Sequence, residues 1–436
     1  MSAPQPLLMP MTGAQPSSAP SVPPGWRWRR LLDAPHRLCF FAAAVMMALV
    51  AIGWLLALAA RITPSWAFAW QVSPSLAHGA LMIHGFMPLF MMGFLFTAGP
   101  RWLGVPAPAA RQIVGHVAAL VVGWLLFAVG ALVSSTLAAA AAGAAALAWL
   151  AVSLRFWALR RMSTAEDRVH ATIVGLACFV GAAAQAALGV AVALHLDGVA
   201  QAALAIGLWG FAGVVYVAVV HRMIPFFTAG VVPFFDRWQP LWLLGLLVAA
   251  MLLQALLAVW QALVWPPPAA LHALAIAADV PLAALLLWLA VRWGLMQSLR
   301  IRLLAMLHLG FVWLGLSFAL DAAAHAAQWA SGNSLSWALA PLHAFAMGFL
   351  GSLLIAMASR VSCGHSGRSL VADDLVWSLF WLLQAAVLVR VAAVLWPAHA
   401  ALLDVLAAAI WAICMVTWAL RYGNWYGRAR ADGRPG

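Results

Sequence analysis

A chain of 436 residues that is 66% hydrophobic and only 8% charged does not have the composition of a soluble globule. Its 23 basic residues are all Arg and bring the net charge to +12. Their placement follows a membrane topology, so the charge calls for no nucleic-acid partner.

Residues 1–24 carry no charge and contain seven Pro, which disfavours both a helix and a packed core. The sequence predicts a disordered Pro-rich tail over 1–30, a single twelve-helix transmembrane domain over 31–425 and a short basic tail over 426–436. The first long apolar stretch starts near residue 38 and has the length of a full span, not of a signal peptide. Twelve stretches of about 20 residues follow in order. They are 38–60, 76–99, 113–133, 136–157, 169–193, 199–221, 239–262, 269–291, 303–323, 336–358, 371–395 and 398–420. The predicted fold class is therefore all-α, polytopic, with about twelve transmembrane helices.

The arginines fall in alternate gaps. They precede span 1 (Arg27, Arg29, Arg30, Arg37) and follow span 2 (Arg101, Arg111) and span 4 (Arg155, Arg160, Arg161, Arg168). They also follow span 6 (Arg222, Arg237), span 8 (Arg292, Arg300, Arg302), span 10 (Arg360, Arg368) and span 12 (Arg421, Arg428, Arg430, Arg434). Only Arg61 and Arg390 break the pattern. Positive charge marks the cytoplasmic side. Both termini are thus expected in the cytoplasm of a bacterium, with the protein in its inner membrane and anionic lipid at the inner face.

Thirteen His is unusual for such a chain, because spans exclude polar groups. Most lie near helix ends, where interfacial hydrogen bonding accounts for them. His84, His308 and His343 lie well inside apolar helices, and each ring nitrogen there needs a partner, which a metal can supply. His78 and Met82, and His343 and Met347, are four residues apart. Imidazole with thioether suits haem iron or Cu(I), although Met also simply fills gaps. His84 and Arg101 are 17 apart, as are His343 and Arg360, which places both His roughly 25 Å above their Arg at 1.5 Å per residue. Acids within spans are few; Asp279 lies mid-span 8 and Asp321 in span 9, with His325 one turn beyond Asp321. They can carry protons or pair locally. Cys39, Cys178, Cys363 and Cys414 are scattered with no CxxC or CxxCH, so any haem would be held non-covalently, as haem b.

Four stretches carry a resemblance. PHRLCFF (35–41) opens the first span. HGALMIHGF (78–86) leads to GFLFTAGPRWLG (93–104). HRMIPFFT covers 221–228 and HAFAMGFLGSLLIAMASRVSCGHSGR covers 343–368. In this order, on a twelve-span chain, they resemble the NnrS family, haem- and copper-containing membrane proteins of the nitric oxide response. The resemblance implies roles for His78, Arg101, Arg222, Pro225, His343, Arg360, His365 and Arg368. Together with the residue pattern, this makes His78, His84, His343 and Met347 the candidate haem contacts and His221 and His365 the candidate metal contacts. Two departures stand out. The family's second span usually opens with two His one residue apart, whereas Ala80 follows His78 here, which leaves His78 and His84 as alternatives. The family commonly has Gly where His221 stands. Arg101, Arg222, Arg360 and Arg368 are candidate contacts for an anion, either haem propionates or lipid phosphates. Gly364 and Gly367 would let Arg360 and Arg368 face one anion together. These Arg and the His of spans 2 and 10 sit toward opposite faces, so one haem cannot meet both.

The resemblance implies protection against nitrosative stress, with nitric oxide or a related small molecule as a partner beside the lipid bilayer. Whether the chain catalyses a reaction is open at this level. A redox enzyme related to haem-copper oxidases or nitric oxide reductases shares the span count and metal-binding His on spans 2, 6 and 10, but their adjacent HH pair and HxH arrangement are missing here. A secondary transporter using Asp279 and Asp321 would leave the deep His unexplained. The topology has a direct check: reporter fusions at residue 1, within 158–166 and after 425 should all report the cytoplasm, and a periplasmic signal from either terminus would reverse the assignment.

Overall fold

The computed structural model describes residues 25–63 and 68–434. Most of the Pro-rich tail, residues 1–24, lies outside the described residues. Helices dominate, and there is no strand among the described residues. Twelve are long and apolar enough to cross a membrane: Pro35–Ile62, Pro74–Leu103, Val114–Val133, Ser135–Met162, Val169–Ala193, Asp197–Ala229, Leu241–Leu263, Ala269–Arg292, Arg302–Ala330, Leu339–His365, Asp374–Leu395 and Pro397–Tyr426, called spans 1 to 12.

The spans coincide with the apolar stretches, but several helices outrun them at the Arg-rich end. Span 4 continues to Met162, span 6 to Ala229, span 10 to His365 and span 12 to Tyr426. Arg155, Arg160, Arg161, Arg222, Arg360 and Arg421 are therefore on helices rather than in loops. Hydropathy ends where charge begins, yet a helix continues as long as its Arg side chains can reach the interface.

Spans 2, 6 and 10 form the centre. Their apolar windows are 78%, 67% and 72% buried within the protein; only span 9 matches them, and the others lie between 33% and 56%. The pattern repeats every four spans: span 2 packs between 1 and 3, span 6 between 5 and 7, span 10 between 9 and 11. Spans 12 and 1 close the bundle. Each central span carries a π-helical segment: Leu81–Phe86, Ile206–Gly213 and Ala344–Gly351. Such a segment holds an extra residue in the turn and shifts the face presented by everything beyond it.

Close approach depends on small residues, because lipid offers no hydrophobic drive to bring helices together. Gly130 of span 3 lies where a Cβ would sit 2.4 Å from the backbone nitrogen of Ala138 in span 4. A Cβ at Gly348 would meet the Trp313 ring at 2.7 Å, and one at Gly181 would meet Phe211 at 2.6 Å. The two ends of the described chain meet at the Arg-rich end. Arg27 N–H donates to Gly427 O at 2.8 Å and Trp26 Nε1 to Gly423 O at 3.3 Å.

Gly130→Ala should lower thermal stability in detergent by about 1–3 kcal/mol, since the neighbour is backbone and cannot yield. Gly143→Ala, where nothing lies within 4 Å, should be neutral or slightly stabilising. Equal melting curves for the two variants would contradict this packing.

Candidate functional site

At the Arg-poor end, His343 Nδ1 donates to Leu339 O at 2.7 Å. This bond fixes the tautomer and leaves Nε2 with a free lone pair, the arrangement a ligating imidazole needs. His78 stacks on Trp54 with centroids 3.9 Å apart and planes at 17°. Its Nδ1 is buried without a partner. His78 and His343 are near enough to interact electrostatically, and Arg390 acts on both. Arg61 also acts on His78 while lying over Trp54 at 5.5 Å. Arg390 is held by Asp404 at 3.0 Å. The two arginines that break the positive-charge pattern thus converge on this pair of His.

His84 is elsewhere. Its ring is stacked between Trp124 at 5.6 Å and Phe211 at 6.3 Å, and both nitrogens lack partners. Gly207 of the span 6 π segment presses so close that a Cβ there would lie 2.6 Å from His84 Nε2. Of the two alternatives on span 2, His78 is the one brought to His343. Met347 falls inside the span 10 π segment, so its four-residue spacing from His343 does not stack the two on one α-helical face.

At the Arg-rich end, the two remaining His candidates are each paired with another His. His170 Nε2 and His221 Nδ1 are 3.0 Å apart, and His221 Nε2 donates to Pro240 O at 3.2 Å. With both rings neutral, His170 donates, and its own Nδ1 is left buried with a free lone pair. Arg222 sits beside this pair, bound to Asp167 at 3.0 Å and lying over Trp102 at 5.0 Å. Burial raises the Asp167 carboxyl, but the Val169 N–H and the Arg222 guanidinium outweigh it and hold the group below the usual carboxylate range.

His36 and His365 face each other at 4.3 Å between centroids. Arg101, Arg37 and Arg430 surround them. Arg37 donates to Tyr426 O at 3.3 Å and Arg428 O at 2.8 Å, and Arg430 donates to His365 O at 3.0 Å. The basic C-terminal segment is therefore folded onto the span 10 loop. Asp432 grips Arg430, which holds its carboxyl at about 2.

Arg360 and Arg368 do not face one anion. Arg360 lies over Phe227 at 4.0 Å and lines a cavity of about 310 Å³ with Phe226 and Arg237. Arg368 lies over Trp425 at 4.2 Å. The left-handed turn at Gly367 sends the chain toward Asp432 and span 12, away from Arg360.

Sequence spacing did not reveal Trp54, His36 or His170 as partners. His36 and His365 lie near opposite ends of the chain, and no periodicity links them. Among the described residues, no three His, Cys, Asp or Glu side chains gather where one metal ion could be held. All four Cys are buried and free.

Twelve apolar helices, nine of them around a central trio, with imidazoles at both ends, define a multi-pass helical membrane protein with paired-histidine sites. The chain belongs to the NnrS family: the family model described as NnrS protein matches residues 30–430, nearly its whole length. No curated protein gives a significant match.

Arg37→Gln should release the C-terminal segment. Trypsin should then cut after Arg428 and Arg430 faster than in the parent or in Arg29→Gln, as read by mass spectrometry. Unchanged cleavage would show that Arg37 does not tether it.

Proposed function

We propose that the chain is an inner-membrane haem protein of the nitric oxide response, with His343 and His78 as the axial ligands of one haem b. The observation that carries this reading is the His343 Nδ1 bond to Leu339 O, which leaves Nε2 with a free lone pair. His78, with a partnerless nitrogen, is the imidazole that faces it. Arg61 and Arg390 supply positive charge beside the pair, as anionic propionates need. The haem thus takes its ligands and its charge partners from the same end of the bundle, and Arg101, Arg222, Arg360 and Arg368 are not needed for it. Bound haem would supply an iron centre able to take up nitric oxide or transfer one electron.

Copper is assigned to His170 and His221. Two adjacent imidazoles suit Cu(I), which would take the place of the proton between His170 Nε2 and His221 Nδ1; Arg222 and Asp167 act on His170 with opposite signs. The other pair, His36 and His365, has three guanidiniums around it and repels a cation.

An intact binuclear haem-copper centre is not supported. Counting 17 residues back from Arg222, as from Arg101 to His84 and from Arg360 to His343, gives Ala205 on span 6 (222 − 17 = 205). The third central helix offers no imidazole at that level.

Purified protein should yield acid-acetone-extractable haem. His343→Ala and His78→Ala should each lose the low-spin spectrum, while His84→Ala and His365→Ala keep it. Haem retained in both of the first two variants at normal expression would end the axial-pair reading. His221→Ala should lose copper by elemental analysis without loss of haem; copper unaffected there but absent from His365→Ala would move the site to the other pair.

A further inference from the structure

The acids inside the bundle are not used by that reading, and they sit together. Asp279 of span 8 is completely buried. Its Oδ1 accepts from Gln254 Nε2 of span 7 at 2.6 Å, and Oδ2 has no N–H donor. Asp321 of span 9 lines a cavity together with Gln254 and acts electrostatically on the Asp279 carboxyl. Two ionised carboxylates are acceptors only, so any bond between them requires a proton on one. A single proton also removes the cost of two like charges in a low-dielectric site.

A chain of imidazoles leads from this pair toward the Arg-poor surface. Asp321 Oδ2 and His325 Nε2 are 3.8 Å apart. His325 Nδ1 and His272 Nδ1 are 2.9 Å apart, and His272 Nε2 is 3.2 Å from Asn333 Oδ1, in the loop between spans 9 and 10. If His272 donates to Asn333, its Nδ1 accepts from His325 Nδ1–H. The remaining lone pair, on His325 Nε2, then faces Asp321. The links from His325 to Asn333 are each a donor followed by an acceptor, while the 3.8 Å step from Asp321 to His325 is longer than a hydrogen bond and borders the same cavity.

That cavity, of about 130 Å³, is lined by Gln254, Asp321, His325 and Gln328. At about 30 Å³ per water it has room for a few. Gln328 is 2% exposed and its Nε2 has no partner, so the cavity wall presents a donor waiting for an acceptor. The other wall includes Leu339, the residue whose carbonyl holds His343.

We propose that Asp279 and Asp321 hold one proton between them and exchange it with the Arg-poor face through His325 and His272. In the outward direction the Asp321 proton passes to His325 Nε2. The His325 Nδ1 proton passes to His272 Nδ1, and the His272 Nε2 proton leaves at Asn333. The pair is left with one more negative charge, which uptake by the reverse path restores. A metal cation fits less well, because two amide N–H groups, from Gln254 and Gln328, point where a cation would need oxygen. The proposal needs no haem, so it stands or falls apart from the axial-pair reading.

The test is infrared spectroscopy of the full-length protein in H2O and D2O at neutral pH. The parent should show the carbonyl stretch of a protonated carboxylic acid, shifted in D2O. Asp279→Asn and Asp321→Asn should each abolish it, with Asp279→Glu restoring a shifted band as the control for folding. His272→Ala should keep the band but slow its deuterium exchange about tenfold or more. Absence of the band in the parent, or its persistence in both Asn variants, overturns the shared proton. Unchanged exchange in His272→Ala overturns the route. Displacement of the band by NaCl, but not by choline chloride, would replace the proton with a sodium ion.

Discussion

Hydrocarbon offers no hydrogen bonds, and this one constraint orders the interior. Every polar group inside the bundle must be met by another group of the chain or by enclosed water. Most are. Trp313 Nε1 donates to Gln384, whose amide donates to Ser352 Oγ; Trp418 Nε1 donates to Ser359, and Ser362 meets the Tyr426 hydroxyl. Against that background the unmet atoms stand out. They include a nitrogen on each of His36, His78, His170 and His308, both nitrogens of His84, and an oxygen of Asp279. Each costs about 1–3 kcal/mol if left unpaired. Trp124, Trp411 and Ser298 also keep an unmet atom, but imidazoles are the most frequent residue type among the unmet groups.

The central helices carry most of this chemistry, and they are also the irregular ones. Spans 2, 6 and 10 share a π segment at a comparable distance from their Arg-poor ends. Glycines in two of these segments let bulky neighbours in, as Gly207 admits His84 and Gly348 admits Trp313. The four-span repeat places equivalent positions around one axis, but the residues there have diverged. Two central helices bear imidazoles in their Arg-poor halves, while the third presents Trp209 and Phe211. Trp209 stacks on Phe345 at 3.9 Å and so joins span 6 to span 10 through aromatic rather than polar contact.

The architecture was legible in the sequence because bilayer thickness sets the length of an apolar stretch and charge is kept out of it, into the gaps between stretches. What hydropathy missed was where helices end, since Arg160 or Arg222 leaves the apolar window without leaving the helix. The site was legible only in part. His343 could be singled out by its depth, but the choice between His78 and His84 could not be made, because the π segment shifts the face between them and no pattern of residues announces it. Arg61 and Arg390 were visible as exceptions to the charge rule. Nothing in one dimension says that two exceptions more than three hundred residues apart act on the same imidazole, that of His78.

The chain's exclusive use of Arg has a chemical consequence. Ten guanidiniums lie over aromatic rings, most of them near the helix ends, a planar contact that an ammonium makes less well. Because no side chain is a primary amine, acylating reagents find no ammonium to neutralise among these residues. Guanidinium stays protonated at any physiological pH. The positive charges at the helix ends are therefore fixed against both titration and amine acylation, the modification that neutralises lysine.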